Sequence, residues 1–218
     1  GLQVYGNSHG FIGGYPSSNH SLSCSVIGQQ GDSMQRDYWY TSARSPEELE
    51  SAAEVGRRAG ERTLARLGAR QIETCEAPVI FQAEMAVSLL RSLTGAISGS
   101  ALYRRSSFLL DHLEQQVFPE FVHIHERPLL RRGAASAPFD SEGVATAAKD
   151  LVRGGVLKSY LLSSYSARKL NMESTGNAGG VRNLTIDSGS MDLDGLLRQM
   201  DNGLLISELM GSGLNMVT

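Results

Sequence analysis

The feature that most constrains the fold is a pair of adjacent glycines, Gly154 and Gly155, which follow Arg153. They separate two apolar segments, residues 144–152 and 156–163. Because glycine readily adopts the positive φ of a tight turn, this pattern predicts a β-hairpin. The other predicted strands and helices interleave without a regular strand–helix–strand repeat. We therefore predict an α+β fold, with mixed or antiparallel sheets and hairpins packed against helices.

The start of the chain shows a two-residue alternation of apolar side chains. It includes Leu22, Cys24 and Val26 and returns near Trp39, which predicts short antiparallel strands with one solvent-exposed face. At Ser45 the pattern changes to an N-cap followed by Pro and Glu, which predicts a helix that ends at Gly68. Its small residues form a stripe of Ala and Gly, so we expect close packing against a sheet or another helix.

The remaining elements are predicted from shorter patterns. We expect four strands, at residues 77–81, 121–126, 181–186 and 204–209. Three helices alternate with them, the first at residues 83–94, the second at residues 164–170 and the third capped by Asp192.

Composition excludes several classes of protein. The 218 residues carry 20 Lys and Arg against 23 Asp and Glu, so nucleic acid is not an electrostatically favoured partner. The apolar runs are shorter than a membrane span of about 20 residues. Two cysteines without CxxC spacing indicate neither a disulfide scaffold nor a zinc ribbon, and a reducing compartment fits best. Both ends read as if cut from a longer chain, so we expect a fragment.

Two histidines form the first candidate metal site. His123 and His125 lie two residues apart on a predicted strand, so both imidazoles share one face and could bind one metal ion. No third ligand is identifiable. We therefore favour the interpretation that both histidines are polar, outward-facing residues of the strand, on the face opposite Val122 and Ile124.

Glu84 is a candidate general base at the start of a predicted helix. Its neighbours Ala83 and Ser88 cannot bind zinc as imidazoles do. We therefore favour the interpretation that Glu84 is an ordinary carboxylate at a helix N-terminus, without a catalytic role. Asp140 and Glu142 lack a His or Cys partner and are interpreted as loop residues. Nucleophilic catalysis has little support, since no GxSxG motif is present.

A glycine-rich segment is the candidate binding site. We predict that it contacts peptide through Thr175, Gly176, Asn177, Gly179 and Gly180. Glycines without Cβ atoms let another backbone lie close, although a turn before a strand explains the composition equally well. The segment lacks the residues of a P-loop or a dinucleotide fingerprint.

Several segments resemble the PmbA (TldE) branch of the TldD/PmbA family. They are residues 78–81, 95–106, 137–144, 163–170, 174–180 and 207–213. The resemblance implies a cytoplasmic bacterial protein with an α+β fold. It also implies that residues 1–132 belong to the central domain, and that residues 133–218 begin a β-rich C-terminal domain.

The resemblance also implies a role in proteolysis. TldD-branch members resemble metallopeptidases with an HExxxH helix, and the matching residues here are Ala83, Glu84 and Ser88, without either histidine. We therefore expect a non-catalytic subunit with no cofactor of its own, since the zinc belongs to the partner. The expected partners are a TldD-type subunit, in a heterodimeric metalloprotease, and unstructured peptides that the complex degrades or matures.

Other functions stay open. One is an autonomous zinc peptidase that uses His123, His125 and groups outside this chain. Another is a regulatory protein that modulates DNA gyrase, the older description of this family. A homodimer is a second form of assembly, and neither nucleic acid nor a membrane is expected as a partner.

Overall fold

The computed structural model describes residues 1–210. In chain order the strands and helices are β1 (Leu2–Gly6), β2 (Ile12–Pro16), β3 (His20–Gln30), β4 (Ser33–Ala43), α1 (Ala52–Arg66), β5 (Val79–Phe81), α2 (Ala83–Ala96), α3 (Gly99–Tyr103), β6 (Ile124–Glu126), β7 (Lys149–Arg153), β8 (Val156–Leu157), α4 (Ser164–Leu170), β9 (Leu184–Ile186), α5 (Leu193–Met200) and β10 (Leu204–Ile206). Helices combined with small, mostly antiparallel sheets confirm the predicted α+β class.

The chain forms two compact units. The first comprises Gly1–Val4, Gly14–Cys75 and Arg131–Ala134, and the described part of the second comprises Tyr5–Gly13, Glu76–Leu130 and residues 135–210. The predicted domain division between residues 132 and 133 concerns a longer protein and stays a prediction.

The first unit is built on the antiparallel hairpin of β3 and β4, as the alternation predicts. Cys24 pairs with Trp39 and Val26 pairs with Asp37, on the face of the hairpin that α1 covers. The opposite face is exposed, with Tyr38 and Tyr40 more than half accessible to solvent.

Helix α1 begins six residues later than predicted. Pro46–Glu48 forms one 3₁₀ turn after Ser45, whose side chain makes no capping hydrogen bond. The α-helix starts at Ala52, where Ser51 Oγ accepts a hydrogen bond from the N–H of Glu54 at 3.2 Å. Both serines stand three residues before a Glu, so the capping pattern alone does not distinguish them.

The predicted Ala and Gly stripe is also wrong as the packed face of α1. The buried residues of this helix are Val55, Ala59 and Thr63, which repeat every four positions. A Cβ on Gly56 or Gly60 would meet no atom within 4 Å. Thr63 is buried because its hydroxyl donates to the carbonyl of Ala59 at 2.8 Å, which satisfies its hydrogen bonding inside the helix.

The second unit contains a four-stranded antiparallel sheet in the order β8-β7-β6-β9. Its core consists of buried side chains from the sheet, from α2 to α4 and from the connecting segments: Leu93, Ala96, Ile97, Leu102, Leu109, Ile124, Leu151, Val152, Leu157, Tyr160, Leu161, Leu162 and Ala167. This core holds the ends of α2 and α4 beside the loop that precedes β9.

The predicted hairpin is present between β7 and β8. Arg153 pairs with Val156, so Gly154 and Gly155 form a two-residue turn with φ of 58° and 75°. A Cβ on Gly155 would lie 2.1 Å from the carbonyl oxygen of Phe118, so both the backbone angle and the space require glycine there.

Four predicted strands are shorter than expected. They are β5, β6, β9 and β10, which cover three residues each. Ahead of β6 the chain turns, with the N–H of Val122 bonded to the carbonyl of Pro119, and Phe121 is 80% exposed. An apolar residue in a turn mimics the alternation of a strand.

The predicted helix at residues 164–170 and the Asp192 cap are confirmed. Asp192 Oδ1 accepts from the N–H of Gly195 at 2.8 Å at the start of α5.

Strand β5 pairs in parallel with β10, in the register Leu204 to Val79 and Ile206 to Phe81. None of the helices within residues 1–210 is long and apolar enough to cross a membrane.

Candidate functional site

A cleft of about 490 Å³ lies in the second unit. Its walls come from the last turn and a half of α2, from α3, from the start of α4 and from the loop before β9. The described lining residues include Arg91 and no Asp or Glu. Among these residues the cleft therefore has one cation and no carboxylate.

Two serine caps and one glycine set the shape of the cleft. Ser98 Oγ accepts from the N–H of Ala101 at the start of α3, and Ser163 forms a capping box with Ser166 at the start of α4. A Cβ on Gly99 would lie 2.2 Å from Ser166 Oγ. The close approach of α3 and α4 thus depends on glycine at this position.

The glycine-rich loop forms one wall of the cleft. Of the predicted peptide-contacting residues, Asn177, Gly179 and Gly180 line it, while Thr175 and Gly176 are not among the described lining residues. Gly179 and Gly180 are exposed, whereas Gly176 and Asn177 are buried. The segment thus has two parts. Thr175, Gly176 and Asn177 form an inner anchor, and Gly179 and Gly180 form an outer wall.

The inner anchor is a network of polar side chains. Thr175 Oγ1 accepts from the N–H of Leu162 at 2.7 Å and donates to Asn177 Oδ1 at 2.9 Å. Lys149 Nζ donates to the carbonyl of Thr175 and, at 2.7 Å, to Asn177 Oδ1. The loop is therefore fastened to β7 and to the segment before α4.

Glu126 stands at the centre of this network and is 1% exposed. Its two carboxylate oxygens each lie 3.0 Å from Asn177 Nδ2, and Oε1 also accepts from the N–H of Arg182. Lys149 Nζ lies 3.4 Å from Oε2. Charge-assisted hydrogen bonds of this kind are stronger than neutral ones, so Glu126 fixes the position of the loop.

Sequence reasoning missed Glu126 and Lys149. Because side chains alternate along a strand, Glu126 shares the inward face of β6 with Ile124, and both are buried. The signal was therefore present in the alternation that placed Ile124 inside. A carboxylate at an inward position indicates a buried partner, which the sequence alone does not name.

The carboxylates of Asp140 and Glu142 also position the cleft, where the sequence indicated only a loop. Asp140 is buried, and its Oδ2 accepts from the N–H of Ala178 at 2.9 Å while Oδ1 accepts from the N–H of Val144 at 3.0 Å. Glu142 Oε2 accepts from the N–H of Ser164 in the first turn of α4 at 2.8 Å. Both acids hold backbone amides that border the cleft.

The three loop glycines have positive φ, at 68° for Gly176, 89° for Gly179 and 104° for Gly180. A Cβ on Gly176 would lie 2.7 Å from the carbonyl oxygen of Ala145, and one on Gly179 would lie 2.4 Å from Ser141 Oγ. A Cβ on Gly180 would meet no atom within 4 Å. The backbone conformation therefore requires all three glycines, whatever binds in the cleft.

Glu84 lies in the first turn of α2 and is exposed. Ala83 is the first residue of this helix, and Ser88 Oγ donates back to the carbonyl of Met85 at 2.6 Å. These contacts match a carboxylate at a helix N-terminus, where the helix dipole favours negative charge.

His123 and His125 lie at β6, on the opposite face from Ile124 and Glu126. His123 Nδ1 accepts from the N–H of Gly154 at 3.2 Å. His125 Nδ1 lies 3.5 Å from Asp187 Oδ1, and its Nε2 is buried without a hydrogen-bond partner among the described residues. Each imidazole thus has its own neighbours in the sheet.

Family models cover nearly all of the chain. Residues 1–67 match the PmbA/TldA metallopeptidase central domain, and residues 74–218 match the PmbA/TldA metallopeptidase C-terminal domain. The chain belongs to the PmbA/TldD metallopeptidase family. The resemblance inferred from the short sequence blocks is confirmed.

Curated relatives agree with this assignment. Metalloprotease PmbA of Escherichia coli O157:H7 is 46% identical over 100% of this chain and 48% of that protein. The Metalloprotease PmbA homolog of Haemophilus influenzae is 48% identical over 100% of this chain and 49% of that protein. The chain thus spans about half the length of these curated relatives.

Solved structures show the same fold. A Bacteroides thetaiotaomicron protein, described as a proposed modulator of DNA gyrase, superposes with a TM-score of 0.89 at 28% identity, over 96% of this chain and 48% of that one. TldE from Thermococcus kodakarensis superposes with a TM-score of 0.81 at 22% identity, over 97% of this chain and 50% of that one, which supports the fold alone.

A metallopeptidase family implies a metal ion, and the donor atoms of this chain can be compared with that requirement. Within residues 1–210, no group of three or more His, Cys, Asp or Glu side chains is placed to hold a metal ion. On α2, Glu84 stands between Ala83 and Ser88, neither of which is a usual zinc ligand. The described donor set of this PmbA/TldD-family chain therefore does not fit a zinc site.

Proposed function

We propose that this chain is part of a non-catalytic PmbA-type subunit, which forms a peptide-binding surface for a cytoplasmic metalloprotease. In this proposal a TldD-type partner supplies the zinc and the hydrolytic chemistry. The substrates are unstructured peptides that the heterodimer degrades or matures.

The observation that carries the proposal is the position of the cleft on α2. The N-terminal half of this helix holds Glu84 without a metal-binding neighbour, while its C-terminal half supplies Arg91, Thr94 and Gly95 to the cleft. The same helix thus offers no second zinc ligand beside Glu84 and builds part of the cleft. This combination suits a subunit that holds peptide rather than one that cleaves it.

The loop wall supports peptide as the ligand. Gly179 and Gly180 have no side chain to keep another backbone at a distance, and they are exposed at the cleft. Main-chain contacts of this kind give affinity with little dependence on side-chain identity, which suits unstructured substrates. The anchor formed by Glu126, Lys149 and Asn177 keeps this wall in place before the ligand arrives, which lowers the entropic cost of binding.

The test is a set of peptidase assays on the full-length protein alone, on its TldD-type partner alone and on the mixture. We expect hydrolysis of an unstructured peptide only where the partner is present, and faster hydrolysis in the mixture than with the partner alone. Hydrolysis by the full-length protein alone, abolished by replacing His123 or His125, would instead support the autonomous zinc peptidase.

The remaining alternative is modulation of DNA gyrase, a description that belongs to solved structures of similar fold. Affinity capture with the full-length protein separates the two functions. Stoichiometric recovery of gyrase without a TldD-type subunit would favour modulation, and recovery of the TldD-type subunit would favour the protease.

A further inference from the structure

The described side chains that line the cleft carry one positive charge, that of Arg91, and no negative charge. The chain has a formal net charge of −3. Arg91 lines the cleft and is exposed, and none of its described neighbours forms an ion pair with it. No carboxylate occurs among the described lining residues. A cation in a cleft that lacks acids raises the local concentration of anionic ligands.

Two further cations lie next to tyrosines that line the cleft. The lining residues Tyr103 and Tyr165 form an edge-to-face pair with ring centroids 5.7 Å apart. The Arg104 guanidinium lies 5.6 Å from the Tyr103 ring, and Lys169 Nζ lies 5.7 Å from the Tyr165 ring. Cation–π contacts at an exposed site are weak, so they hold these two groups near the tyrosine rings without neutralising them.

The charges of Arg104 and Lys169 are also not neutralised by acids within the described residues. Arg104 Nε donates to the carbonyl of Ser100, which lines the cleft, at 3.0 Å, and this bond holds the side chain along α3. Two carboxylates hold backbone amides at the cleft: Glu142 accepts from the N–H of Ser164, and Asp140 accepts from the N–H of Ala178. Among the described residues neither forms an ion pair with Arg104 or Lys169, so both cationic side chains are available to a ligand.

We infer that the cleft selects peptides that carry a carboxylate, which Arg91 binds while Arg104 and Lys169 strengthen the field around it. This inference rests on the proposed function, since it names the substrate class of the same site. A volume of about 490 Å³ takes a short peptide segment rather than a folded element. The guanidinium suits this role because its planar N–H groups match a carboxylate in two parallel hydrogen bonds.

The carboxylate has two sources, an Asp or Glu side chain and a free peptide C-terminus. Four fluorescein-labelled decapeptides of one neutral sequence distinguish them. The first ends in an amide, the second ends in a free carboxylate, the third has an internal Glu and a C-terminal amide, and the fourth has an internal Lys and a C-terminal amide. Fluorescence anisotropy with the full-length protein, alone and mixed with its TldD-type partner, gives each affinity.

We expect the peptides with a carboxylate to bind about tenfold more tightly than the neutral amide, and the Lys peptide to bind more weakly. Tighter binding of only the C-terminal carboxylate would identify recognition of peptide ends. Tighter binding of only the internal Glu would identify recognition of acidic side chains.

The decisive variant is Arg91→Gln, which should remove the preference for carboxylate, so that its affinities for the carboxylate peptides and for the neutral amide become equal. Arg91→Lys should restore part of the preference. Arg198→Gln is the matched control, because Arg198 is an exposed arginine on α5 of the same unit and does not line the cleft. Melting temperatures of all three variants should match the wild type, since both arginines are exposed.

Equal affinity for all four peptides, or equal effects of Arg91→Gln and Arg198→Gln, would overturn the inference. The proposed function survives that result if the mixture still hydrolyses the peptides faster than the partner alone. It fails separately if the full-length protein adds nothing to the activity of its partner.

Discussion

Replacement of the buried carboxylate in Glu126→Gln is expected to loosen the wall of the cleft. Gln has almost the same volume, but it brings an N–H₂ group into a site where Glu126 accepts from Asn177 Nδ2 and from the N–H of Arg182. It also leaves the ammonium of Lys149, 3.4 Å from the carboxylate in the wild type, without its ionic partner. Removing one member of a buried ion pair costs about 3 kcal/mol of unfolding free energy.

The expected loss of stability can be measured in two ways. The melting temperature of this unit should fall by about 6–12 °C, since 1 kcal/mol corresponds to roughly 2–4 °C for a unit of this size. Hydrogen exchange should accelerate first at the amides of residues 177–182, because the network holds this segment directly. The affinity for peptide should fall with the order of the loop.

Two further variants make this reasoning refutable. Glu114→Gln is the matched control, because Glu114 also pairs with a lysine, Lys158, but is 68% exposed, so its loss should change stability by less than about 0.5 kcal/mol. The double variant with Lys149→Met should cost less than the sum of its single changes. If Glu126→Gln costs no more than Glu114→Gln, the network does not anchor the loop.

Other predictions follow from single contacts. Glu84→Ala should leave the peptidase activity of the assembled mixture within about twofold of wild type, and a hundredfold loss with the complex intact would reveal a chemical role for this carboxylate. Elemental analysis of the purified full-length protein should give well below one zinc per chain, and a value near one would contradict the donor set described above. Gly179→Val should lower the melting temperature, since its Cβ would lie 2.4 Å from Ser141 Oγ at a positive φ, and an unchanged melting temperature would show that the loop relaxes at no cost. Burial raises the pKa of Asp37, but the N–H of Tyr38 and the guanidinium of Arg62 outweigh this effect, so its net pKa lies below the usual 3.8. The stabilisation by Asp37 is therefore complete above about pH 4 and is lost as the pH falls through the folded pKa; acid titration of Asp37→Asn should show a smaller loss than wild type.

Local patterns with a strict physical requirement were predictable from the sequence. Gly154 and Gly155 fix a hairpin turn because only positive φ closes it, and Asp192 marks a helix start because its side chain replaces a missing backbone acceptor. The start of α1 was not predictable, since Ser45 and Ser51 both precede a Glu at capping distance. Between the two serines, the N–H of Glu50 donates to Thr41 Oγ1 of β4 at 3.2 Å, a tertiary contact that the local pattern does not contain.

The cleft was predictable only in part. The glycine-rich composition singled out Gly179 and Gly180, which line the cleft, although their positive φ accounts for the glycines without any ligand. The anchor depends on Glu126 and Lys149, which are distant from the loop in sequence and meet it only after the sheet forms. Arg91 could not be recognised from the sequence, because a single arginine on a helix is common. The lack of carboxylates among the described residues around it is a property of the folded cleft.

The parallel pairing of β5 with β10 also affects how the protein is made. About 125 residues separate Val79 from its partner Leu204. At a synthesis rate of about 5–20 residues per second, β5 therefore emerges roughly 6–25 s before β10 exists. During that interval its three apolar residues lack the strand that later pairs with them. A nascent chain stalled before residue 204 should bind chaperones through this segment, and a chain extended past β10 should release them.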